Sequence, residues 1–449
     1  MTSAPFSSPK VTRRHLLRLS ATVVGAKVAE PFVYAMQAEQ APSSSSTESR
    51  WQETWKAALN CLSANVRMVP RYDRPVLFEG AVYPGIWQEC GPHEGLVYGT
   101  LSKYISEGDP TKAPLVVARN NHMAFFALQR EDGQIPASVK TSEAGYGQIQ
   151  MVVPIAATAW ELVQLTNDDE LLVTAYKACS QWDAWLRRYR NTRGTGLVEG
   201  FCTYDTGHDN SPRWRGVPNR CPDADAKRFP TGVGVPRLCP DLSATVYGGR
   251  VALAAMAKTL GKHDEAARWE SDAEELRLLI LSKLYDEKDA AFYDLDIENQ
   301  FVRVRSDVIS RVLGEHVLKL NETRDRAIFD ALWTRQIHNP KAFWAPYPLT
   351  SVAMDDPAFV KPIPRNSWGG ATQALTALRT PRWMDHYGKG TELKQMMQKW
   401  CEAILRHFEF RQQMDPWTGD FTQIDPSGYS PAALVFLEFA RRLGKAPKA

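Results

Sequence analysis

Two turns that carry aspartates are the segments best suited to chemistry. Asp209 lies in "YDTGHDNSPRW" (204–214), and Asp420 lies in "DPWTGDFTQIDPSGYS" (415–430). Both aspartates sit beside glycine and aromatic residues rather than on a charged helix face. Hydrolysis of a glycosidic bond needs one carboxylic acid to protonate the leaving oxygen and one carboxylate to activate water or attack the sugar. The two aspartates are therefore a candidate catalytic pair, provided that the fold brings their turns together.

Each of these residues also has a purely structural interpretation. The run D-N-S-P is good turn chemistry, so Asp209 could serve as an Asx-turn or helix N-cap residue. Arg213 could pair with Asp205 and only hold the loop together. His208 and His93 lie near carboxylates, but neither has a second histidine at helical spacing, so we predict no metal site.

The N-terminal segment is typical of an export signal. "TRRHLLRLSATVVGA" (12–26) places Arg13 and Arg14 before a modest apolar run, as in twin-arginine signals. Lys27 interrupts that run, which is too short to anchor the chain stably in a membrane. We expect a signal over residues 1–38, a flexible Ser-rich linker over 39–50, and a periplasmic or secreted protein; a disordered basic tail is the alternative.

Composition narrows the classes of partner. The net charge of +3 is spread over 449 residues without a dense basic cluster, so no nucleic-acid partner is expected. The 14 Trp, 15 Tyr and 17 Phe residues could fill a large core or stack on sugar rings. Seven cysteines occur without a CxxC pair, and an oxidising compartment could bridge two of Cys202, Cys221 and Cys239. Because twin-arginine substrates fold before export, reduced buried thiols are an equal alternative. Oligomeric state is open.

Helical periodicity dominates from Trp51 onward, and it defines the elements that must position the turns. The segment 263–285 is the clearest amphipathic helix, whereas 290–306 reads as a β-hairpin with Glu298 and Asn299 near its turn. Because no fixed repeat length is found, a closed toroid of helical hairpins is preferred to a solenoid. Further helices are predicted over 51–66, 94–106, 114–128, 153–166, 168–190, 243–260, 322–335, 366–378, 389–409 and 430–443.

The first turn carries a family resemblance. "TGHDNSPRW" resembles the S-G-x-D-N-S-P-R-W segment of glycoside hydrolase family 63 and its mannosylglycerate-hydrolase-like relatives, and more distantly that of trehalases. The resemblance implies that Asp209 is the general acid. Around it, Tyr204, Asp205, Asn210, Arg213 and Trp214 would shape a sugar pocket.

The second turn resembles the D-P-x-T-G-E stretch that carries the base in these families. Asp420 stands at the position of the family's glutamate, with Tyr429 where an aromatic residue is expected. Because aspartate is one methylene shorter than glutamate, Asp425 is an alternative base.

Two weaker resemblances support the same scaffold. "VYPGIWQECGPHEG" resembles the P-G-x-x-W segment near the start of such domains and makes Trp87 and Glu89 candidate sugar contacts. "RNSWGGATQAL" (365–375) resembles a segment ahead of the last helices and offers Trp368. The resemblance implies an all-α fold, an (α/α)6 barrel with long loops on its catalytic face, as a single catalytic domain over 51–445.

The expected activity is that of a glycoside hydrolase, inverting, acting on a small α-linked glycoside or an oligosaccharide end, without an organic cofactor. Two alternatives stay open. One is a polysaccharide lyase or sugar epimerase on the same toroid, with Tyr204 or His208 transferring the proton. The other is a sugar-binding protein that has lost its base, for which the aspartate at 420 is the only support.

Overall fold

Helices account for most of the regular secondary structure. The computed structural model describes residues 47–105, 108–361, 368–422 and 427–447. The α-helices in these ranges are α1 Thr47–Asn65, α2 Gly91–Thr100, α3 Pro114–Ala127, α4 Ile155–Thr166, α5 Asp169–Tyr189, α6 Pro240–Thr259, α7 His263–Lys283, α8 Val308–Gly314, α9 Thr323–Leu332, α10 Ala374–Met384, α11 Gly390–His407 and α12 Ser430–Arg442.

The even-numbered helices form a closed inner ring. Helix α2 packs against α4, α4 against α6, α6 against α8, α8 against α10, α10 against α12, and α12 returns to α2. These helices are buried on nearly every side; in α12 every residue from Ser430 to Ala440 is buried. A helix that is apolar all round belongs in a core, so this ring is the inner wall of the predicted (α/α)6 barrel.

The odd-numbered helices lie outside the ring, and α5 and α11 among them are clearly amphipathic. In α5 the Asp168 carboxylate caps the N-terminus by accepting a hydrogen bond from the Leu171 N–H at 2.9 Å, and one face of the helix is buried. Helix α1 packs against α12, which brings the two ends of the helical chain together. Within the described ranges no helix is long and apolar enough to cross a membrane.

Several boundaries differ from the sequence-based expectation. Helix α1 begins at Thr47, so residues 47–50, which we assigned to the linker, are helical. Helix α8 was not predicted, because its seven residues are too few for a periodic pattern. Helix α10 begins at Ala374, well after the predicted start at 366. The predicted signal over 1–38 lies outside the described residues.

The strands are short and lie in the connections between helices. The predicted hairpin is present, with Leu295 paired to Phe301 and Asn299 in the left-handed region at φ 59°. It belongs to a four-stranded sheet in which Phe301–Val302 (β11), Asp294–Leu295 (β10), Arg237–Leu238 (β7) and Glu199–Gly200 (β6) pair in that order. The strands are β1 Val66–Val69, β2 Tyr72–Leu77, β3 Gly85–Trp87, β4 Ser138–Lys140, β5 Ala144–Gly145, β6 Glu199–Gly200, β7 Arg237–Leu238, β8 Tyr285–Asp286, β9 Ala291–Phe292, β10 Asp294–Leu295, β11 Phe301–Val302, β12 Thr372–Gln373 and β13 Gln413–Met414.

The long connections lead from outer helices into the N-terminal ends of inner helices. Glu89 lies just before α2, Gln150 just before α4, Asp209 in the segment that leads to α6, and Gln412 in the segment that leads to α12. These residues line one common cleft, so the connections converge at one end of the ring.

Candidate active site

The cleft at this end of the ring opens to solvent, and the space between its walls measures about 1240 Å³ with part of that open solvent included. Four carboxyl groups, those of Glu79, Glu89, Asp209 and the more exposed Glu143, line it together with the indoles of Trp87 and Trp368. Polar side chains complete the wall: Tyr83, Gln148, Gln150, Tyr204, Arg220 and Gln412. Acids between flat aromatic rings and hydrogen-bonding groups can hold a sugar and transfer protons to it.

Asp209 lies at the wall of this cleft, as its predicted role requires. It directly precedes Asn210, whose φ of 58° marks a tight left-handed turn. The Asp209 carbonyl accepts a hydrogen bond from the Trp368 backbone N–H at 3.3 Å. Burial raises the pKa of the Asp209 carboxyl to about 6. A carboxyl with this pKa keeps its proton in mildly acidic solution and can donate it.

Arg213 anchors the Asp209 loop and does not contact the cleft. Its guanidinium donates to both oxygens of Asp241 (2.8 and 3.1 Å) and to both oxygens of Asp294 (3.0 and 2.5 Å). The expected sugar contact by Arg213 is therefore wrong, and so is the alternative pairing of Arg213 with Asp205. The buried Arg213 guanidinium thus ties the loop to α6 through Asp241 and to β10 through Asp294.

His208 is also part of this anchor. Its Nδ1 lies 3.0 Å from Arg213 Nη1, and its Nε2 lies 2.7 Å from Asp307 Oδ1. Arginine can only donate, so Nδ1 is the acceptor and the neutral ring carries its proton on Nε2. Burial and the nearby Arg311 lower the pKa of His208 to about 4. His208 thus orients its neighbour Asp209 and is not the proton-transfer group of the lyase alternative.

Asp205 has a structural role as well. It pairs with the buried Arg190 and accepts backbone N–H groups from Ile149 (2.9 Å), Phe201 (2.7 Å) and Cys202 (3.2 Å). With both oxygens engaged behind the cleft wall, it cannot reach a sugar, so the predicted substrate contact is wrong.

Glu89 lies against the Asp209 loop. A Cβ atom built on Gly207 would come within 1.5 Å of Glu89 Oε2, so this approach requires glycine, as does the Gly207 φ of 60°. Burial raises the pKa of Glu89 to about 7, opposed by the nearby Arg379. Glu89 thus reaches the cleft beside Asp209, where the sequence predicted a substrate contact.

Glu79 is a third carboxyl of the cleft, and sequence reasoning missed it. Its Oε1 accepts a hydrogen bond from the Tyr429 hydroxyl at 2.7 Å, and its backbone carbonyl accepts from the Ser430 N–H at 2.8 Å. Burial and the neighbouring carboxylates Glu94 and Glu89 raise the pKa of Glu79 well above its usual value, whereas the hydrogen bond from Tyr429 opposes this rise and favours the carboxylate that a base requires. Tyr429 is therefore a buried support for Glu79 and not a lining residue of the cleft.

Asp420, the predicted base, does not line the cleft. Its side chain is 59% exposed and lies 3.3 Å from Arg406 Nη2 and 3.1 Å from His407 Nε2, at the end of α11. The Asp415 carboxylate accepts the N–H groups of Trp417 and Thr418, which closes the turn on its outer side. The structure thus does not bring Asp420 together with Asp209. The alternative base, Asp425, lies outside the described residues.

Some of the remaining predicted sugar contacts line the cleft, and others do not. Trp87, Tyr204 and Trp368 line the cleft, and the Tyr204 hydroxyl accepts a hydrogen bond from Asn219 at 3.2 Å. Trp214 is buried and donates to Thr206 Oγ1 at 2.9 Å, so it belongs to the core. Asn210 is exposed beside the cleft and is not one of its lining residues.

Two buried clusters have the composition of a metal site: Cys202, Asp205 and Cys221, and Cys239, Asp241 and Asp294. In each cluster the aspartates already bind a buried arginine, Arg190 in the first and Arg213 in the second. The guanidinium supplies the positive charge that a cation would bring, so these clusters fit arginine rather than a metal ion.

The missed residues gave weak signals in the sequence. Glu79 and Tyr83 lie in "FEGAVYPGIWQECGPHEG", the segment that also carries the predicted contacts Trp87 and Glu89. Gln412 precedes the D-P-W-T-G turn and accepts a hydrogen bond from Tyr83 at 2.8 Å. Which residue of such a segment points inward depends on long-range contacts, so local turn chemistry could not identify it.

The fold and the cleft define a class of protein: an (α/α)6 barrel with acid groups at the mouth of its inner ring, as in six-hairpin glycosidases. The Mannosylglycerate hydrolase MGH1-like glycoside hydrolase domain matches residues 115–430, which is more than half of the chain. The chain belongs to this family and is a glycoside hydrolase. The family thus decides for the hydrolase and against the lyase, epimerase and non-catalytic alternatives.

Solved structures show the same fold. The GH63 mannosylglycerate hydrolase from Thermus thermophilus, in complex with glucose, matches with a TM-score of 0.63 at 17% identity, over 86% of this chain and 99% of that one. The neutral trehalase Nth1 from Saccharomyces cerevisiae matches with a TM-score of 0.60 at 13% identity, over 83% of this chain and 75% of that one. No curated protein sequence matches the chain.

Proposed function

We propose that the cleft hydrolyses a small α-linked glycoside or an oligosaccharide end, with Asp209 as general acid and Glu79 as general base. The observation that carries this proposal is the convergence of Asp209, Glu79 and Glu89 between Trp87 and Trp368. Glycoside hydrolysis requires an acid and a second carboxylate on opposite sides of the scissile bond. Asp420 is replaced as base because its side chain lies outside the cleft.

The position of Glu79 in the ring supports its role. Its backbone carbonyl binds Ser430 at the start of α12, whereas the Asp209 loop is fixed through Arg213 to Asp241 at the start of α6. Helices α12 and α6 stand opposite each other in the six-membered inner ring. An inverting enzyme needs this arrangement, because water must fit between the base and the sugar, with about 6.5–9.5 Å between the two carboxyls.

Glu89 has a different role in this proposal. It contacts the Asp209 loop at Gly207, which places it on the same side as the acid. A carboxylate there can accept hydrogen bonds from sugar hydroxyls and hold the ring against Trp87. Glu89 thus binds substrate, in keeping with the sequence prediction, while the Tyr429 hydroxyl fixes one oxygen of Glu79 and sets the direction of the other.

Relatives guide the choice of substrate. Structures of the Thermus thermophilus mannosylglycerate hydrolase contain glucose, or Tris with D-glycerate, and the yeast relative is a trehalase. A panel of α-linked disaccharides and glycosylated small acids is therefore the first set to test. Hydrolysis followed by NMR of the anomeric protons identifies the substrate, and we expect the first-formed sugar to have the inverted configuration. A first-formed sugar with the retained configuration would contradict the general-base role of Glu79.

Chemical rescue assigns the base. A Glu79→Ala variant should lose activity by about 10²–10⁴-fold, because no group then takes the proton of the attacking water. Azide needs no base, so it should restore turnover and give a glycosyl azide. The matched variant Glu89→Ala should not be rescued. Glu143→Gln, in a cleft residue that is half exposed and ion-paired with Lys140 at 2.7 Å, should keep near-normal activity. If azide restored the activity of Glu89→Ala and not that of Glu79→Ala, Glu89 would be the base and Glu79 the substrate contact.

We also propose that the protein is exported to the periplasm or beyond. Arg13 and Arg14 before the apolar run support this, as twin-arginine signals require both. Replacing both arginines by lysine should retain the protein in the cytoplasm, as measured by cell fractionation. Unchanged export of this variant would contradict the proposal.

A further inference from the structure

Two thiols meet at the base of the loop that carries Asp209. Cys202 and Cys221 are both buried, and their sulfur atoms lie 3.6 Å apart. A disulfide requires about 2.05 Å between sulfurs, so closing the gap moves each sulfur by less than about 1 Å. We propose that Cys202 and Cys221 form a disulfide that fastens the two ends of the Asp209 loop.

The backbone around the two cysteines is already held side by side. The Thr203 N–H donates to the Pro218 carbonyl at 3.0 Å, and the Tyr204 N–H donates to the Asn219 carbonyl at 3.1 Å. Each of these bonds joins a residue one or two positions after Cys202 to a residue two or three positions before Cys221. The disulfide therefore adds a covalent bond to a junction whose backbone segments are already hydrogen-bonded to each other.

The Arg190 guanidinium lies at the junction of the two cysteines. Arg190 Nη2 lies 3.8 Å from Cys221 Sγ, and Arg190 also pairs with Asp205, whose carboxylate accepts the Cys202 N–H at 3.2 Å. Burial raises the pKa of the Cys202 thiol well above its usual value, so the thiolate that attacks a disulfide has to form before the loop is buried. Asp205 is fully engaged by Arg190 and backbone amides, so the cluster presents two thiols to each other rather than a ligand set to a metal.

The other five cysteines are distributed over different elements. Cys61, Cys179 and Cys401 lie within α1, α5 and α11, and Cys90 and Cys239 directly precede α2 and α6. The sulfur of Cys239 faces the Arg237 carbonyl at 3.5 Å. Of the three cysteines that the sequence left open for pairing, the structure thus selects Cys202 and Cys221.

The oxidation needs an electron acceptor, for which a small-molecule disulfide such as oxidised glutathione suffices. One thiolate attacks a sulfur of glutathione disulfide and releases one molecule of glutathione. The second thiolate then attacks the mixed disulfide and releases the other molecule. The two protein thiols lose two electrons and two protons, and one glutathione disulfide becomes two glutathione molecules. Because both thiols are buried, the reaction belongs to folding, before the loop closes.

The test is oxidative refolding of the whole chain in a glutathione redox mixture, followed by alkylation in denaturant and mass spectrometry. We expect five alkylated thiols instead of the seven of the reduced chain, and a non-reduced digest in which the Cys202 and Cys221 peptides are joined. The Cys221→Ser variant should lose this cross-link, whereas the matched variant Cys179→Ser should keep it. Seven free thiols after refolding to native circular dichroism, or a bridge between another pair, would overturn the proposal. If a cysteine variant does not fold, the non-reduced digest of the chain without substitutions still shows whether the Cys202 and Cys221 peptides are joined.

The cross-link should also be visible in the stability of the loop. Limited proteolysis between residues 202 and 221 should be slower in the oxidised protein than in the reduced protein, because a closed loop opens less often. Equal cleavage rates in a protein that contains the bridge would show that the bond forms without fastening the loop. This test does not depend on the proposed enzymatic roles, so it can fail or succeed separately from them.

Discussion

The Asp209 loop and the Asp420 turn look alike in sequence and differ in the structure. Both combine an aspartate with glycine, proline and tryptophan. The Asp209 loop is tied down by Arg213, which joins Asp241 and Asp294, and its aspartate lines the cleft. In the Asp420 turn the Asp415 carboxylate binds the backbone of the turn itself. The Asp420 side chain is exposed and pairs with Arg406.

The difference shows what turns a polar loop into a catalytic one. Burial against a wall that excludes water raises the pKa of an aspartate, because the charged form loses its hydration. Buried ion pairs behind the Asp209 loop provide that hold. Around Asp420 an exposed pair contributes little, because solvent screens the charges. The two regions can therefore be separated by experiment.

The largest expected effect is that of Asp209→Asn on turnover. The amide cannot protonate the leaving oxygen, so kcat should fall by about 10²–10⁴-fold while the protein keeps its fold. Steady-state kinetics on the substrate found by the screen measures the loss, and circular dichroism checks the fold. A rate within a few-fold of the unmodified protein would remove Asp209 from the mechanism.

A large effect on stability is expected at the anchor of the same loop. Arg213→Met leaves Asp241 and Asp294 buried without their partner, which should lower the free energy of unfolding by about 3–5 kcal/mol. The matched variant Arg406→Met, beside Asp420, should change it by no more than about 1 kcal/mol. Denaturant unfolding of both variants gives the comparison. Equal losses would show that the two loops are held in the same way.

The pH dependence of turnover gives a smaller and more specific effect. Burial raises the pKa of Asp209 to about 6, and the pKa of Glu79 is raised as well, so kcat/KM should fall about tenfold per pH unit once both carboxyls are ionised. A glycosyl fluoride needs little protonation of its leaving group, so the fall should disappear with that substrate. The same fall with both substrates would assign it to another group.

Much of the architecture was predictable, because periodicity reports burial directly. Helices such as α5 and α7 were located to within a few residues, and the hairpin at Leu295 and Phe301 was confirmed. The short α8 was missed, since seven residues hold too few turns for a pattern.

The site was predictable only where chemistry and a family motif coincided. The two coincided at Asp209 and Glu89, and both side chains line the cleft, while their roles stay predictions. Glu79 was not predicted, because its role depends on Tyr429, 350 residues away. Arg213 and Asp205 were taken for sugar contacts because their burial depends on partners outside the motif, at Asp241 and Arg190.

The most direct test measures kcat/KM of Asp209→Asn and Asp420→Asn side by side on one substrate. Asp420 is 59% exposed beside Arg406 and His407, so Asp420→Asn should change kcat/KM by less than about 2-fold and the free energy of unfolding by no more than about 1 kcal/mol. We expect the loss for Asp209→Asn to exceed that for Asp420→Asn by at least about 10²-fold. A loss for Asp420→Asn as large as that for Asp209→Asn would contradict the account.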